Sequence, residues 1–290
     1  MARIAILVDA PDWHTRRLTE AFAKAGADTA VLSLQDCAFA LGEGGHGVAM
    51  PGFADALPDA VLVRTIAAGT FEQVTLRLGL LHALAQLGVP VINDARAIER
   101  CVDKSMTSFL LHRAGIATPP TLASESAAQA GRWRAGTAAE LVAKPLFGSQ
   151  GRGLMRLRPE DASPPAEQYA GVLYLQRFVG REVGWRDFRV MVVGGEPAAA
   201  MLRHGQSWVT NVRRGARCER VAAAGDLAAR SVAAAAAVGA DYAGVDLIED
   251  GDGKLLVLEV NSMPAWEGLQ SVASCDLAAK IAAHVLARLA

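Results

Sequence analysis

Features that would point to several classes of protein are scarce or missing from this sequence of 290 residues. No apolar run approaches the length of about 18 residues that a membrane span needs, and Asp9 interrupts the first apolar run before a signal-peptide core could form. The six histidines have no metal-ligand spacing, so a zinc site is not expected. The four cysteines form no Cys-x-x-Cys pair, and their wide spacing favours reduced thiols in a cytoplasmic protein: Cys37, Cys101, Cys218 and Cys275.

The sequence also lacks an excess of charge of either sign. The formal net charge is −1, which gives no overall attraction to nucleic acid or to a membrane. With 52% hydrophobic and 20% charged residues, the composition is that of a globular protein and not of a disordered one. The length allows more than one lobe at roughly 100–200 residues per domain. Any binding of anions must therefore depend on local clusters of basic residues.

Strand and helix patterns alternate in the first third of the chain. Strands are predicted at residues 3–8, 29–34, 60–64 and 89–92, and helices at residues 14–25 and 71–87, which favours an open α/β sheet. The glycine-rich segment 42–52 is predicted to be a mobile loop. The first strand–helix connection lacks the Gly-x-Gly-x-x-Gly pattern, so no dinucleotide site is expected there. Arg64 ends the third strand and is a candidate to face a binding crevice, with a surface ion pair as the alternative.

Two helices are predicted next, each with an aspartate at its start. Asp94 and Asp103 are suitable N-caps. Lys104 falls in the first turn of the second helix, where the helix dipole disfavours a cation. It therefore either binds an anion such as a phosphate or is solvated. The predicted apolar face of this second helix consists of Met106, Phe109, Leu110 and the aliphatic stem of Arg113.

A glycine-rich loop follows a short apolar strand that ends in Lys144. Its sequence is Gly148-Ser-Gln-Gly-Arg-Gly153, and three glycines in six residues allow backbone N–H groups to approach an anion closely. The Gly-Lys-Ser/Thr ending of a Walker loop is absent. The pattern favours a strand–loop–strand hairpin folded over phosphates with Lys144 beneath it. An ordinary glycine-rich turn is the alternative.

Basic residues are concentrated between residues 186 and 217, where hairpin strands are predicted at residues 186–193 and 196–203. Arginine forks match carboxylates and phosphates. The cluster therefore indicates either a positively lined cleft for an acidic substrate and a phosphate, or a solvated basic surface on an edge strand. Its members are Arg186, Arg189, Arg203, Arg213, Arg214 and Arg217.

A hairpin near the C-terminus carries polar residues on apolar strands. If residues 251–254 form a four-residue connection, Asp250 pairs with Leu255 and Asp246 falls opposite Glu259. Asp246, Glu259 and Asn261 then share one face, where their oxygen atoms suit Mg²⁺. The alternative is a half-solvated hairpin. The other, apolar face would consist of Val245, Leu247, Leu256, Leu258 and Val260.

Taken in order, these motifs resemble those of the ATP-grasp superfamily, and within it the RimK-like glutamate ligases and their LysX-type relatives. The ordered set is Asp103-Lys104, Lys144 with the glycine loop, Gln176-Arg-Phe-Val179, Asp187-x-Arg189, Asn211-Val-Arg-Arg-Gly215, Asp246 and Glu259-Val-Asn261. The resemblance implies an α/β protein with an ATP-grasp fold behind an N-terminal pre-ATP-grasp domain. The implied lobes are residues 1–93, a central lobe of residues 94–175 and a C-terminal lobe of residues 176–290.

The resemblance also implies roles for individual residues. Those expected to bind ATP are Lys104, Lys144, Gly148, Ser149, Gln150, Gly151, Gly153, Gln176, Arg177, Phe178 and Asp187. Candidate catalytic residues are Arg189, Arg203, Asn211 and Arg214, of which Arg189, Asn211 and Arg214 match positions near the γ-phosphate or acyl-phosphate. The implied metal ligands are Asp246, Glu259 and Asn261. Two positions depart from the family pattern: Arg177 stands where relatives carry an acidic residue, and Ala216 replaces a glycine.

The implied activity is ATP-dependent ligation of a carboxylate to an amine through an acyl-phosphate, with ATP and two Mg²⁺ ions and with Mn²⁺ as an alternative metal. The first hypothesis is addition of L-glutamate to an acidic peptide, protein or cofactor. A second is that glutamate supplies the carboxylate for another amine, such as tyramine in the synthesis of a one-carbon cofactor. A third is a non-catalytic ATP-binding regulator. No nucleic-acid or membrane partner is expected, and a homo-oligomer is left open.

Overall fold

The computed structural model describes residues 1–42, 45–54, 56–148, 151–180 and 184–289. Over these residues, no helix combines the length and the apolar character that crossing a membrane requires. The four cysteines are unpaired, as their spacing predicted.

The N-terminal part is built on a parallel sheet. Its strands are β1 (Arg3–Leu7), β2 (Asp28–Leu32), β5 (Ala60–Val63) and β6 (Val91–Ile92), next to a small hairpin of β3 (Ala38–Phe39) and β4 (Val48–Ala49). The helices are α1 (Trp13–Lys24) and α2 (Phe71–Gln86). The sheet order β2-β1-β5-β6 places the first strand in the middle, and β1 is fully apolar and buried from Ile4 onward. The predicted open α/β sheet is thus confirmed.

The glycine-rich segment 42–52 is more structured than predicted. Within it, β4 pairs antiparallel with β3. Val48 and Met50 are buried in the same cluster as Leu80 of α2. The prediction of a loop is therefore wrong for β4, and the buried side chains of Val48 and Met50 anchor this segment to the core. Glu43 and Gly44 lie outside the described residues.

The central part combines three helices with an antiparallel sheet. The helices are α3 (Ala95–Val102), α4 (Lys104–Arg113) and α5 (Ala127–Ala135). The strands, in sheet order β7-β10-β8-β9, are β7 (Thr121–Ser124), β10 (Leu173–Arg177), β8 (Leu141–Lys144) and β9 (Met155–Leu157). A short 3-10 helix spans Ala166–Tyr169.

The start of α4 is as predicted, but its apolar face is not. Oδ1 of Asp103 accepts hydrogen bonds from the backbone N–H groups of Ser105 and Met106, so Asp103 caps the helix. The buried residues of α4 are Thr107 and Leu111, whereas Met106 and Phe109 are 41% and 53% exposed. The helix is rotated so that Leu111 enters the core that α6 (Gly225–Val238) and the C-terminal sheet provide. That partner surface cannot be read from the helical spacing alone.

The C-terminal part is a larger antiparallel sheet with helices on it. Its strands, in sheet order β13-β12-β11-β14-β15, are β13 (Arg217–Val221), β12 (Glu196–His204), β11 (Arg186–Val193), β14 (Tyr242–Glu249) and β15 (Leu255–Asn261). The helices are α6 (Gly225–Val238), α7 (Glu267–Gln270) and α8 (Leu277–Ala287), with a short 3-10 helix at Val212–Arg214. The predicted Gly194-Gly195 turn joins β11 to β12, and both glycines have positive φ, 59° and 79°.

The N-terminal sheet and the C-terminal part share one hydrophobic core. Ile4 and Phe22 of the first pack in the same cluster as Trp266 and Ile281 of the second. The Asn93 side chain joins the two parts as well: its Nδ2 donates to the carbonyl oxygens of Tyr242 and Ser262, and its Oδ1 accepts from the Tyr242 N–H. The lobe division stays a proposal. Its first boundary falls between β6 and α3, and its second falls within β10.

Candidate functional site

A cleft of about 530 Å³ lies where the three parts of the chain meet. Residues of the N-terminal part, the glycine loop and the inner strands of the C-terminal sheet all contribute to its wall. Most of the predicted site residues line it: Lys104, Lys144, Gly148, Gly151, Gln176, Arg177, Phe178, Asp187, Arg189, Arg203, Asn211, Asp246, Glu259 and Asn261. Ser149 and Gln150 lie outside the described residues.

Two lysines stand at the base of the glycine loop. Lys144 ends β8, and its Nζ donates a 2.6 Å hydrogen bond to Oε1 of Gln176 on the neighbouring strand. Burial lowers the pKa of Lys144 to about 8. Lys104 begins α4 and donates to the carbonyl oxygens of Gly148 at 2.8 Å and Leu146 at 3.3 Å. Both ammonium groups are therefore held next to the loop, and burial also lowers the pKa of Lys104.

The glycine loop requires two of its glycines for steric reasons. A Cβ atom on Gly151 would lie 2.6 Å from Cγ1 of Val209, and one on Gly153 would lie 2.8 Å from Cγ of Pro145. Both glycines also have positive φ, 67° and 68°. The strands on either side pair antiparallel, so the predicted strand–loop–strand hairpin is confirmed. The far side of the loop is fastened by Arg214, whose Nη2 donates to the Gly151 carbonyl at 3.1 Å.

An aromatic cluster closes the end of the cleft beyond β10. The rings of Trp185 and Trp208 meet that of Phe178 edge to face, with centroids 6.1 and 5.9 Å apart. The guanidinium of Arg156 lies 4.1 Å from the centre of the Phe178 ring. Sequence reasoning identified Phe178 but missed the two tryptophans, which stand in connections just before β11 and just before Asn211. Their clustering depends on the arrangement of the sheets, which the sequence does not give. A signal was available, however, because two of only five tryptophans in the sequence lie near predicted site motifs.

A chain of alternating charges crosses the floor of the cleft from β12 to β14. Asp187 faces Arg203 across the β11–β12 pair, and Arg189 faces Asp246 across the β11–β14 pair. Nε and Nη2 of Arg189 donate to the two Asp246 oxygens, both at 2.6 Å. Arg203 makes the same two-point contact with Asp187 and also lies 3.2 Å from Asp246 Oδ1. The order of charges is thus Asp187, Arg203, Asp246, Arg189.

This chain changes the interpretation of the predicted arginine cluster. Arg189 and Arg203 are neither free in the cleft nor solvated, and Arg186 pairs with Glu249 at 2.6 Å. Burial favours a raised pKa for Asp246, but the positive charges of Arg189 and Arg203 outweigh it and hold the pKa well below its usual range. Burial raises the pKa of Asp187 to about 6 in spite of Arg203.

The predicted metal ligands come together on β14 and β15. Asp246 lies opposite Glu259, as predicted. Nδ2 of Asn261 donates to Oε1 of Glu259 at 3.1 Å and to the Gly244 carbonyl at 3.3 Å. This orientation leaves Oδ1 of Asn261 as an oxygen donor beside two carboxylates. A set of two carboxylates and an amide oxygen fits Mg²⁺, which binds hard oxygen ligands.

The register beyond this pair differs from the prediction. Glu249, and not Asp250, pairs with Leu255, and the ladder shifts by one residue between Asp246 and Leu247. The connection is therefore one residue longer than predicted, residues 250–254, and a β-bulge absorbs the difference. As a result Val257 is buried in the core, and Leu258 lines the cleft. The prediction that Leu258 faces the core is wrong for this reason.

The N-terminal part contributes a wall that sequence reasoning largely missed. Asp12, His14, Arg64 and Thr65 line the cleft. Nε2 of His14 accepts the Trp266 backbone N–H at 3.1 Å, so the ring proton is on Nδ1, 2.8 Å from Asp12. Burial and the charge of Arg64 lower the pKa of His14. Arg64 itself is 3% exposed, so the surface ion pair considered for it is wrong.

Known proteins resemble this chain over its whole length. The profile of the RimK-like ATP-grasp domain matches residues 101–285, and that of the RimK pre-ATP-grasp domain matches residues 2–98. A protein of Thioalkalivibrio sulfidiphilus named as a probable alpha-L-glutamate ligase is 31% identical over 296 residues, which cover 98% of this chain and 95% of the relative. The tetrahydromethanopterin:alpha-L-glutamate ligase of Methanococcus maripaludis is 38% identical over 197 residues, covering 66% of this chain and 67% of that protein.

Solved structures share the fold. The ATP-grasp ligase PsnB, in complex with a minimal precursor, superposes with a TM-score of 0.78 at 23% identity and covers 99% of both chains. The D-cycloserine synthetase DcsG superposes with a TM-score of 0.75 at 21% identity, over the full length of both. The predicted ATP-grasp fold with a pre-ATP-grasp domain is thereby confirmed. By its sequence matches and its fold, this chain belongs to the RimK-like ATP-grasp family.

Proposed function

We propose that this protein is an ATP-dependent carboxylate–amine ligase that forms an amide bond through an acyl-phosphate, with L-glutamate as the added amino acid. One observation carries the proposal: oxygen donors suited to Mg²⁺ and two lysines suited to phosphate share one cleft with a glycine loop. The names of its relatives, which are glutamate ligases, support the choice of amino acid.

The cleft supplies separate contacts for each part of the nucleotide. Lys104 and Lys144 bind phosphate oxygens, and N–H groups of the glycine loop approach the same anion. The end wall of Phe178, Trp185 and Trp208 offers aromatic surface for a base. Mg²⁺, when held by Asp246, Glu259 and Asn261, neutralises charge on the phosphates. We propose two Mg²⁺ ions, with Mn²⁺ as an alternative metal, and metal titration tests both the number and the identity of the ions.

The chemistry has two steps. A substrate carboxylate oxygen attacks the γ-phosphorus of ATP, and ADP leaves. The neutral amine of the second substrate then attacks the acyl carbon, loses a proton, and inorganic phosphate leaves. The contribution of the protein is to position these groups and to stabilise charge. Arg189 and Arg203 do so while fixed by Asp246 and Asp187, so they need little rearrangement when charge develops.

The test is release of ADP from Mg-ATP in the presence of L-glutamate and a panel of acidic acceptors: peptides, proteins and cofactors that end in a carboxylate. Wild-type protein should release ADP with at least one acceptor, and product mass should increase by one glutamyl residue. Glu259→Gln should abolish turnover. Glu219→Gln is the matched control, because Glu219 is an exposed member of the same sheet that pairs with His204 and Arg217 outside the cleft.

Two outcomes would contradict the proposal. Failure to release ADP with every acceptor in the panel would favour a non-catalytic nucleotide-binding protein. A product in which a carboxylate of glutamate itself has become an amide would contradict the proposal too. It would indicate that the enzyme activates glutamate for attack by another amine.

A further inference from the structure

Arg64 is a buried arginine in the cleft that has no carboxylate at ion-pair distance among the described residues. It directly follows β5, and its backbone N–H donates a hydrogen bond to the carbonyl of Leu7 at 2.8 Å. It therefore stands at the carboxyl edge of the parallel sheet, where α/β crevices open. Its Nη1 donates to the Met263 carbonyl at 3.1 Å. Within the described part of the chain, the buried Nε has no acceptor. No ion pair within 4.0 Å involves Arg64 among these residues; Asp12 is the carboxylate that its charge influences, and that charge contributes to lowering the Asp12 pKa.

The other arginines of the cleft are in different situations. Arg186, Arg189 and Arg203 are each paired with a carboxylate. Arg152 and Arg177 also line the cleft, but they are exposed and therefore hydrated. A buried guanidinium without a counter-ion is costly, because burial removes water from a charge and nothing replaces it. A negatively charged ligand in the cleft would supply the missing partner.

The position of Arg64 indicates which kind of ligand it would bind. Its acceptor Met263 is two residues from Asn261, so their Cα atoms lie within about 7 Å of each other along the chain. Two residues further on, the Ala265 carbonyl accepts from Arg189, which holds Asp246. Arg64 and Arg189 thus donate to carbonyl oxygens two residues apart in the segment that follows Asn261, so Arg64 lies beside the proposed metal site.

We propose that Arg64 binds a carboxylate of a substrate and so forms a subsite on the pre-ATP-grasp part of the cleft. The inference rests on the proposed function, which requires an acidic substrate beside the phosphates. Arginine presents two parallel N–H donors to a carboxylate, which gives both strength and orientation. The carboxylate belongs either to the incoming L-glutamate or to an acidic acceptor, and the same contact serves both.

Equilibrium binding tests the subsite without requiring turnover. Isothermal titration calorimetry measures binding of L-glutamate, L-glutamine, L-isoglutamine and, as an acceptor-like carboxylate, N-acetyl-L-glutamate to the protein with Mg²⁺ and a non-hydrolysable ATP analogue. Arg64→Gln should weaken binding of the recognised carboxylate about 10- to 100-fold, the usual range for a hydrogen bond to a charged group. Affinity for the nucleotide should not change. Arg64→Lys, which keeps the charge but not the fork, should recover part of the loss.

The ligands distinguish a binding role from a structural one. The amide analogue that lacks the recognised carboxylate should bind wild type and Arg64→Gln equally, because it makes no ion pair with Arg64 that the substitution could remove. Arg77→Gln is the matched control: Arg77 is 6% exposed and its Nη1 donates to the carbonyls of Ala67 and Ala68, but it does not line the cleft. It should leave every ligand affinity unchanged. Thermal unfolding of each variant checks that the fold is retained.

Equal affinity of wild type and Arg64→Gln for every carboxylate would overturn the proposal, and so would the absence of carboxylate binding to the wild type. A loss shared by all ligands and the nucleotide would assign Arg64 a structural role and would equally overturn it. The ligase proposal is tested separately: carboxylate binding that depends on Arg64, without ADP release, would remove the ligase and leave the subsite.

Discussion

Two members of the proposed metal set should respond differently when each loses its charge. Both oxygens of Asp246 are engaged by Arg189, and Arg203 lies 3.2 Å from one of them. Asp246→Asn leaves two buried arginines facing a neutral amide. Removing one partner of a buried ion pair typically costs about 3–5 kcal/mol. The Arg189 side chain is 14% exposed, so water can partly compensate its charge. We therefore expect the lower end of this range, about 3 kcal/mol.

Glu259→Gln should leave stability almost unchanged. Glu259 has no ion pair within 4.0 Å in the described part of the chain, and its charge favours the ammonium groups of Lys104 and Lys144 only at longer range. A glutamine Oε1 can still accept from Asn261 Nδ2. We expect a loss below about 1 kcal/mol, similar to that of an exposed pair. At about 2 °C for each kcal/mol in a chain of this size, Asp246→Asn should lower the Tm by about 6 °C and Glu259→Gln by less than about 2 °C.

The assay is thermal or urea unfolding without nucleotide or divalent metal, in which ligand binding cannot contribute to stability. Both substitutions should abolish ADP release, so activity alone does not separate them. Equal Tm values for the two variants would refute the reasoning that Asp246, unlike Glu259, closes a chain of buried charges.

Two further predictions concern the phosphate side of the cleft. The pKa of Lys144 is about 8 in the folded protein and about 10.4 in an unfolded chain, so between these pH values the unfolded state binds more protons and stability should rise with pH. Unfolding titrations from about pH 8 to about pH 10.4 should show a smaller rise for Lys144→Met, and an identical rise would contradict the burial of this ammonium. Gly151→Ala should raise the KM for ATP at least about tenfold, because strain at positive φ costs of order 1–3 kcal/mol and the new Cβ would meet Val209. Gly171→Ala is its control, with positive φ of 86° but open space around it, and equal effects in steady-state kinetics would show that the contact with Val209 is unimportant.

The sequence predicted best what depends on neighbours along the chain. The caps at Asp94 and Asp103, the glycine turn between β11 and β12, and the pairing of Asp246 with Glu259 follow from spacing and local chemistry, and all are confirmed. The family and its ligase class, identified from the order of motifs, are confirmed too. The roles assigned to individual site residues stay predictions.

What the sequence did not provide depends on contacts between distant segments. The outward orientation of Met106 and Phe109 follows from the position of α6, and helix α5 was not predicted because its short alanine-rich pattern has little periodicity. The carboxylate partners of Arg189 and Arg203 lie on neighbouring strands. Arginine spacing along one strand gives no information about which acid stands opposite.

The core shared by the N-terminal sheet and the C-terminal part also determines how the protein can be divided. Trp266, Tyr242 and Ile281 are each at most 1% exposed, and they pack in one cluster with residues of β1 and α1. A shortened protein that started after Asn93 would expose these side chains to water and would lose the partner of the Tyr242 hydroxyl, the Val63 carbonyl. Such a fragment should aggregate, so biochemical work on the ATP-grasp part calls for the intact chain.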